Sequence, residues 1–266
     1  MSAQDLHAAV AASLTRVGTV AVAVSGGVDS MTLAEIAHRA PGVDAEMFHA
    51  VSAAVPREAT ERVERHATAA GWTLHLVDAG ETRDQRYIAN PVDRCFFCKT
   101  NLYGHISSIT DRTIVSGTNT DDLGDYRPGL NAAEDHDVVH PFVEADVDKP
   151  GVRLLADHLG LGDISELPAA PCLASRIETG LQVTPKRLSV VDEVERHLRG
   201  VLGGATIRCR IRAEATVIEL DAADLDRTRA TESDAVRSIL HRHGVDSPIS
   251  FEAYRRGSAF VHENTP

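Results

Sequence analysis

Residues 18–24, Gly-Thr-Val-Ala-Val-Ala-Val, limit the possible folds of this chain more than any other segment. A short, continuously apolar and Val-rich run suits a strand buried on both faces of a parallel sheet. It passes without a spacer into Ser25-Gly-Gly-Val-Asp-Ser30. Apolar residues then return at helical spacing at Met31, Leu33, Ala34 and Ala37, until Pro41-Gly42 ends the pattern. Strand, glycine turn and helix start in direct succession make an anion site. Gly26 and Gly27 let the backbone turn and approach a phosphate, the helix N-terminus presents N–H groups, and Ser25 and Ser30 add hydroxyl donors. A carboxylate cannot bind phosphate directly, so Asp29 is expected to hold Mg²⁺ against a pyrophosphate. The alternative is a tight glycine turn with no ligand. The Gly-Lys-Ser/Thr spacing of the kinase-type phosphate loop is absent.

Further strands are expected over residues 46–51, 72–77 and 112–116, and helices over 57–70, closed by Gly71, and 96–109. Strands alternating with helices of this length predict an α/β fold with a doubly wound parallel sheet. Residues 121–150 read as loop, interrupted by Gly124, Pro128, Gly129, Pro141 and Pro150, and residues 150–159 read as helix. The Pro-rich stretch 167–171 marks a boundary, giving a nucleotide-binding domain over 1–168 and a smaller α+β domain over 169–266. In the latter, Thr184-Pro185 caps a helix over 186–199. A strand pair over 205–211 and 216–220, helices over 221–229 and 233–243, and a strand over 249–254 follow.

Composition narrows the partners. Lys+Arg total 27 against 39 Asp+Glu, a net charge of −12, and Lys99, Lys149 and Lys186 are the only lysines. A generally basic nucleic-acid coat is excluded. The acid excess suits a salt-rich cytosol, and the base composition of the gene would produce the same lysine shortage. Apolar residues at 43% and charged residues at 25% are ordinary for a globular chain. No apolar run approaches the roughly 20 residues that cross a bilayer. Residues 1–16 lack the separate cationic and apolar regions of a secretory signal, so a cytoplasmic, reducing setting and no membrane partner are expected.

Four cysteines are too few for a disulfide scaffold. Cys95-Phe-Phe-Cys98 is flanked by Arg94 and Lys99, which would lower a thiol pKa. Cys172 lies in Ala170-Pro-Cys-Leu-Ala-Ser-Arg176. Three thiols in two loops suit a [4Fe–4S] cluster with one open iron, or one reactive thiol beside two spectators; a buried pair at a helix start is the plainer reading of the CxxC. Structural zinc wants four ligands, and no second CxxC is present. Cys209, between Arg208 and Arg210 in an alternating strand, faces away from both and is expected in the core.

The hexapeptide 25–30 resembles the SGGxDS signature of the PP-loop ATP pyrophosphatase superfamily. The sequences PCLASRI around Cys172, RCxxCK around Cys95, GTNxDDxxDxRPG from Gly117 to Gly129 and the pair Arg208/Arg210 are similar to the LarE-type sulfur transferases of that superfamily, over most of the chain. The resemblance implies that ATP adenylates a carboxylate of a pyridinium biscarboxylate mononucleotide and that the cysteine at position 172 then attacks. Members with one cysteine give up its sulfur and keep dehydroalanine, whereas those with three are held to carry a [4Fe–4S] cluster. The pattern Cys95, Cys98 and Cys172 favours the second route. Cofactors implied are ATP, Mg²⁺ and the cluster; the partner is a small nucleotide, and the assembly a homo-oligomer.

The remaining expectations follow charge. Arg208 and Arg210, two apart on a strand, would fork onto a substrate phosphate, against the reading of two solvated arginines. Arg176 would stabilise the Cys172 thiolate or bind a substrate carboxylate. Glu195 and Glu219 match acidic positions that the resemblance makes metal ligands, against the reading of surface carboxylates. Gly117, Asp125 and Arg127, in the loop after the fourth strand, would close the nucleotide site at the carboxyl edge of the sheet. His241 and His243 are expected to face solvent. A tRNA thiolase, an ammonia-using synthetase and a non-catalytic ATP-binding module are the competing readings.

Overall fold

A computed structural model describes residues 1–124, 127–168, 171–203 and 206–255. The chain forms two compact units, Met1–Glu81 with Cys95–Ala170 and Thr82–Arg94 with Pro171–Pro266. The chain-order reading placed residues 82–94 with the first domain; here they join the second unit.

In the first unit, β1 (Thr19–Ala23), β2 (Asp44–Ala50), β3 (Leu74–Val77) and β4 (Thr113–Ser116) form one sheet in the order β3-β2-β1-β4. All three pairings are parallel. The fold class expected from the sequence is therefore present. The order places β1 in the middle, and its residues alternate between two cores. Val20 and Val22 join Met31, Leu33, Ile36, Val63, Leu155 and Phe142, whereas Ala21 and Ala23 join Phe48, Tyr103, Ile106 and Ile114. Both faces are thus covered, which explains why the run is apolar without alternation.

The first core draws on α1 (Ala3–Val17), α2 (Val28–Arg39), α3 (Arg57–Ala70) and, near the end of the unit, α8 (Lys149–His158). Helix α1 starts at a reciprocal cap in which the Ser2 hydroxyl accepts from the Asp5 N–H and the Asp5 carboxylate from the Ser2 N–H. Gly71, at φ +76°, closes α3 in the left-handed conformation. After α4 (Gln85–Ile88), which belongs to the second unit, α5 (Arg94–Ile109) covers the opposite face of the sheet through Tyr103 and Ile106.

The loop expected over 121–150 holds two short helices, α6 (Pro128–Asp135) and α7 (Pro141–Glu144). The prolines read as breakers are the first residues of these helices, where proline's missing N–H costs nothing.

In the second unit, α9 (Pro185–Leu202) begins at Thr184, whose hydroxyl accepts from the Arg187 N–H. Strands β5 (Ile207–Ile211) and β6 (Thr216–Leu220) pair antiparallel. A single helix, α10 (Leu225–Arg242), replaces the two expected over 221–243, and β7 (Ile249–Ala253) returns parallel to β6. Val190, Val191, Val194, Leu198, Ile207, Cys209, Val217, Ile218, Val236 and Leu240 are buried.

Candidate functional site

The loop between β1 and α2 is built to approach an anion. Gly26 sits at φ +81°, and a Cβ there would stand 2.9 Å from the Ala59 carbonyl oxygen. Only glycine tolerates both conditions. The Ser30 hydroxyl accepts from the Ser25 N–H at 3.0 Å and lies 3.1 Å from the Ser25 hydroxyl. Gly27 caps α2 without any side-chain acceptor, so the N–H groups of the first turn face out of the helix end. Helix α3 braces the loop from the side through Arg62, which donates to the Gly26 carbonyl at 2.8 Å.

His49, near the end of β2, was not singled out in the sequence. Its Nδ1 lies 2.8 Å from the Val24 carbonyl and its Nε2 2.9 Å from the Thr60 hydroxyl. A carbonyl can only accept, so Nδ1 carries the proton. Burial pushes its pKa below the ordinary histidine value, against the Val24 hydrogen bond and the charge of Glu64. A neutral imidazole thereby fixes the residue just before the anion loop.

The segment after β4 packs against this loop. A Cβ on Gly117 would meet the Asp29 carbonyl carbon and the Ser30 nitrogen, each at 2.8 Å. Asn119, 2% exposed, donates from Nδ2 to Asp29 Oδ1 at 3.1 Å. Lys149, the first residue of α8, places Nζ 2.7 and 2.6 Å from the two Asp29 oxygens. Its backbone N–H donates to Asp121 Oδ2 at 3.2 Å. Both Asp29 oxygens therefore face cationic or N–H donors, and a magnesium ion held by Asp29 does not fit this set. Sequence reasoning missed Lys149, although its rarity, one of three lysines among 27 cationic residues, was a signal.

Arg127 is ion-paired to Asp122 at 2.8 Å. Asp125 lies outside the described residues. The Ser116 hydroxyl lies 2.9 Å from His140 Nδ1, and burial, then Lys99, lowers the His140 pKa against Asp122 and Glu144. Cys95 and Cys98 occupy the first turn of α5, three residues apart on one face, Cys95 exposed and Cys98 half-buried. Lys99 lies over the Tyr103 ring at 5.5 Å.

Cys172 belongs to the second unit and opens a short 3-10 turn over Leu173–Arg176. Arg176, 3% exposed, donates from Nη1 to the carbonyls of Pro171 at 2.7 Å and Cys172 at 3.3 Å. Its Nε and Nη2 grip both oxygens of Glu195 at 2.8 and 3.1 Å. Glu195, fully buried, also accepts from Arg199 and from the Cys209 N–H. Arg210 repeats the pattern: Nε donates to Glu219 at 3.0 Å and Nη1 to the Ser175 carbonyl at 2.9 Å. The expectation that Arg176 works at the thiolate or a substrate carboxylate gives way to a guanidinium spent on loop carbonyls and Glu195. Glu195 and Glu219 are neither surface carboxylates nor fitted to a metal, because arginines surround both.

Arg208 donates to the Ile207 carbonyl and lies 5.7 Å over the Tyr254 ring. Burial first, then Arg176, lowers its pKa, and Glu195 and Tyr254 oppose the shift. Cys209 is fully buried, and burial pushes its thiol far up, so it is a core residue and no nucleophile. His243 does not simply face solvent: its Nε2 pairs with Glu193 at 2.7 Å. Among the described residues, no group of three or more His, Cys, Asp or Glu could hold a metal ion. Cys95 and Cys98 offer two thiols from one helical turn.

No protein-family model matches the chain. It is 36% identical over 203 residues to the uncharacterized protein slr1717 of Synechocystis, covering 75% of each chain. It is 28% identical over 174 residues to the uncharacterized protein MJ0830 of Methanocaldococcus jannaschii, covering 64% of this chain and 67% of the relative. It is also 28% identical over 221 residues to the pyridinium-3,5-bisthiocarboxylic acid mononucleotide synthase of Lactiplantibacillus plantarum, 81% of this chain and 79% of that enzyme. With 36% identity spanning three quarters of both proteins, the chain belongs to the family of slr1717.

Proposed function

We propose that this protein is an ATP-dependent sulfur transferase acting on a carboxylate of a pyridinium biscarboxylate mononucleotide, in the synthesis of a nickel-pincer nucleotide cofactor. The observation that carries the reading is the loop 25–30. Its glycines and outward-facing helix N–H groups, at the carboxyl edge of a parallel sheet, suit a nucleotide polyphosphate. Similarity to the Lactiplantibacillus synthase supports the choice of substrate.

On this reading a carboxylate oxygen of the substrate attacks the α-phosphorus of ATP, and the bond to the β-phosphate oxygen breaks to release pyrophosphate. The carboxylate, a poor leaving group, becomes an acyl adenylate. Cys172 then adds its thiolate to the acyl carbon and AMP leaves, giving a thioester. Loss of the Cys172 Cα proton with cleavage of its Cβ–Sγ bond leaves dehydroalanine and a thiocarboxylate. Residues of the second unit support the thiol: Arg176 and Arg210 hold the carbonyls of Pro171, Cys172 and Ser175 in place. Arg208, a half-buried cation beside other arginines, is the ligand for the substrate phosphate. Magnesium enters as part of the MgATP substrate, and no step is assigned to a cluster.

The test is incubation with ATP and pyridinium-3,5-biscarboxylic acid mononucleotide. Substrate-dependent pyrophosphate release is expected; its absence with every candidate carboxylate would sink the reading. Intact mass after one turnover separates the routes. A loss of about 34 Da, the mass of H₂S, marks sacrifice of Cys172. An unchanged mass, with iron, sulfide and a brown colour in anaerobically purified protein, marks a cluster on Cys95, Cys98 and Cys172 instead.

A further inference from the structure

The first unit contains an ammonium group that neither the phosphate loop nor the cysteines account for. Lys149 comes 120 residues after Asp29 in sequence, yet its Nζ bridges both carboxylate oxygens at 2.7 and 2.6 Å. Two elements hold it. Asp29 is in the first turn of α2, Asn119 in the segment after β4 donates to the same carboxylate, and Asp121 in that segment accepts the Lys149 backbone N–H. The Thr120 N–H donates to the Val147 carbonyl at 3.0 Å, tying that segment to the residues just before α8.

Electrostatics give this arrangement a purpose. An anion arriving at the N-terminus of α2 meets the Asp29 carboxylate in the first turn. Like charges a few ångströms apart near a protein surface repel strongly, which would undo the benefit of the helix end. Lys149 cancels that charge, and as a third-exposed side chain on a flexible stem it can turn its remaining donors outward.

We propose that Lys149 is a polyphosphate ligand of this site, contacting the phosphates beyond the α-phosphate of a nucleoside triphosphate, and that Asp29 and Asn119 are its positioning residues. The inference rests on the ATP-dependent reading above. In it, Asp29 acts through the lysine rather than through a metal.

Binding of ATP, AMP and inorganic tripolyphosphate is measured by calorimetry in EDTA, so that no metal contributes. Lys149→Met is expected to weaken ATP and tripolyphosphate by about 10- to 100-fold, the loss of one charge-assisted contact. AMP, which lacks the outer phosphates, should keep its affinity within about twofold and so reports that the variant is folded. Lys149→Arg, which keeps the charge, should retain most of the ATP affinity. Equal ATP affinity in wild type and Lys149→Met, or equal losses for ATP and AMP, would overturn the assignment while leaving ATP use intact. Wild-type protein that binds no ATP, either in EDTA or with magnesium present, would overturn the parent reading, and this one with it.

Discussion

Gly117 shows how one missing methyl group shapes the candidate site. Its backbone lies so close to Asp29 and Ser30 that a Cβ would meet backbone atoms at 2.8 Å, and backbone cannot yield as a flexible side chain does. Gly117→Ala is therefore expected to push the anion loop away from the sheet and to weaken ATP binding at least tenfold with little loss of secondary structure. Calorimetric titration and circular dichroism check this, and an unchanged affinity would contradict it. Cys209 makes the opposite case. Because its thiol is fully buried, Cys209→Ser should leave sulfur transfer intact while lowering stability by about 1–3 kcal/mol through a buried hydroxyl, measurable by urea unfolding. At this scale the sequence was legible where chemistry is local: Ser25, Gly26, Gly27 and Ser30 follow from one hexapeptide. Lys149 was not legible, because its partner Asp29 is 120 residues away. The burial of Glu195 and Glu219 was equally hidden, since the arginines that neutralise them arrive from other elements.

Strands and helices divide the work between a phosphate-binding edge and a braced thiol loop. In the second unit the bracing is ionic: Arg176 links the Cys172 turn to α9, and Arg210 links the same turn to β5 and β6. Arg176→Ala would leave Glu195 buried with one partner fewer, at a cost of about 3 kcal/mol. Thermal unfolding should show the loss, and the Cys172 thiol should react faster with an alkylating reagent as its loop loosens. Acid should act in the same direction across the fold. His49 and His140 have folded pKa values below the ordinary 6.5, both chiefly through burial, so the unfolded chain binds more protons as pH falls through 6.5. Their contribution is present above that value and lost below it. Glu193, held down by the His243 hydrogen bond, and Glu35, where bonds from His66 and Arg39 outweigh burial, extend the loss below 4.5. A melting temperature that stays flat or rises between about pH 7 and 5 would contradict this. Most elements could be read from period and caps, including α3 and the order of strands and helices. The errors came where proline was read only as a breaker, in α6 and α7, and where Ala230-Thr231-Glu232, which offers no large apolar residue, hid the continuity of α10.

For the whole molecule, the net charge is −12 and only three of the 27 cationic residues are lysines; Arg176 and Arg210 are the buried arginines that hold loop carbonyls. No helix among the described residues is long and apolar enough to cross a membrane. A net charge of −12 opposes a polyanion, so tRNA is expected to bind weakly at about 0.1 M salt, with a shallow salt slope; tight binding with a steep slope would favour a tRNA thiolase. In the proposed reaction Cys172 delivers sulfur after ATP has activated a carboxylate, and replacing its thiol separates the two steps. Cys172→Ser, given ATP and the pyridinium biscarboxylate mononucleotide, should still release pyrophosphate and form no thiocarboxylate. If that variant produces the thiocarboxylate at the wild-type rate, Cys172 is not the sulfur-transferring residue.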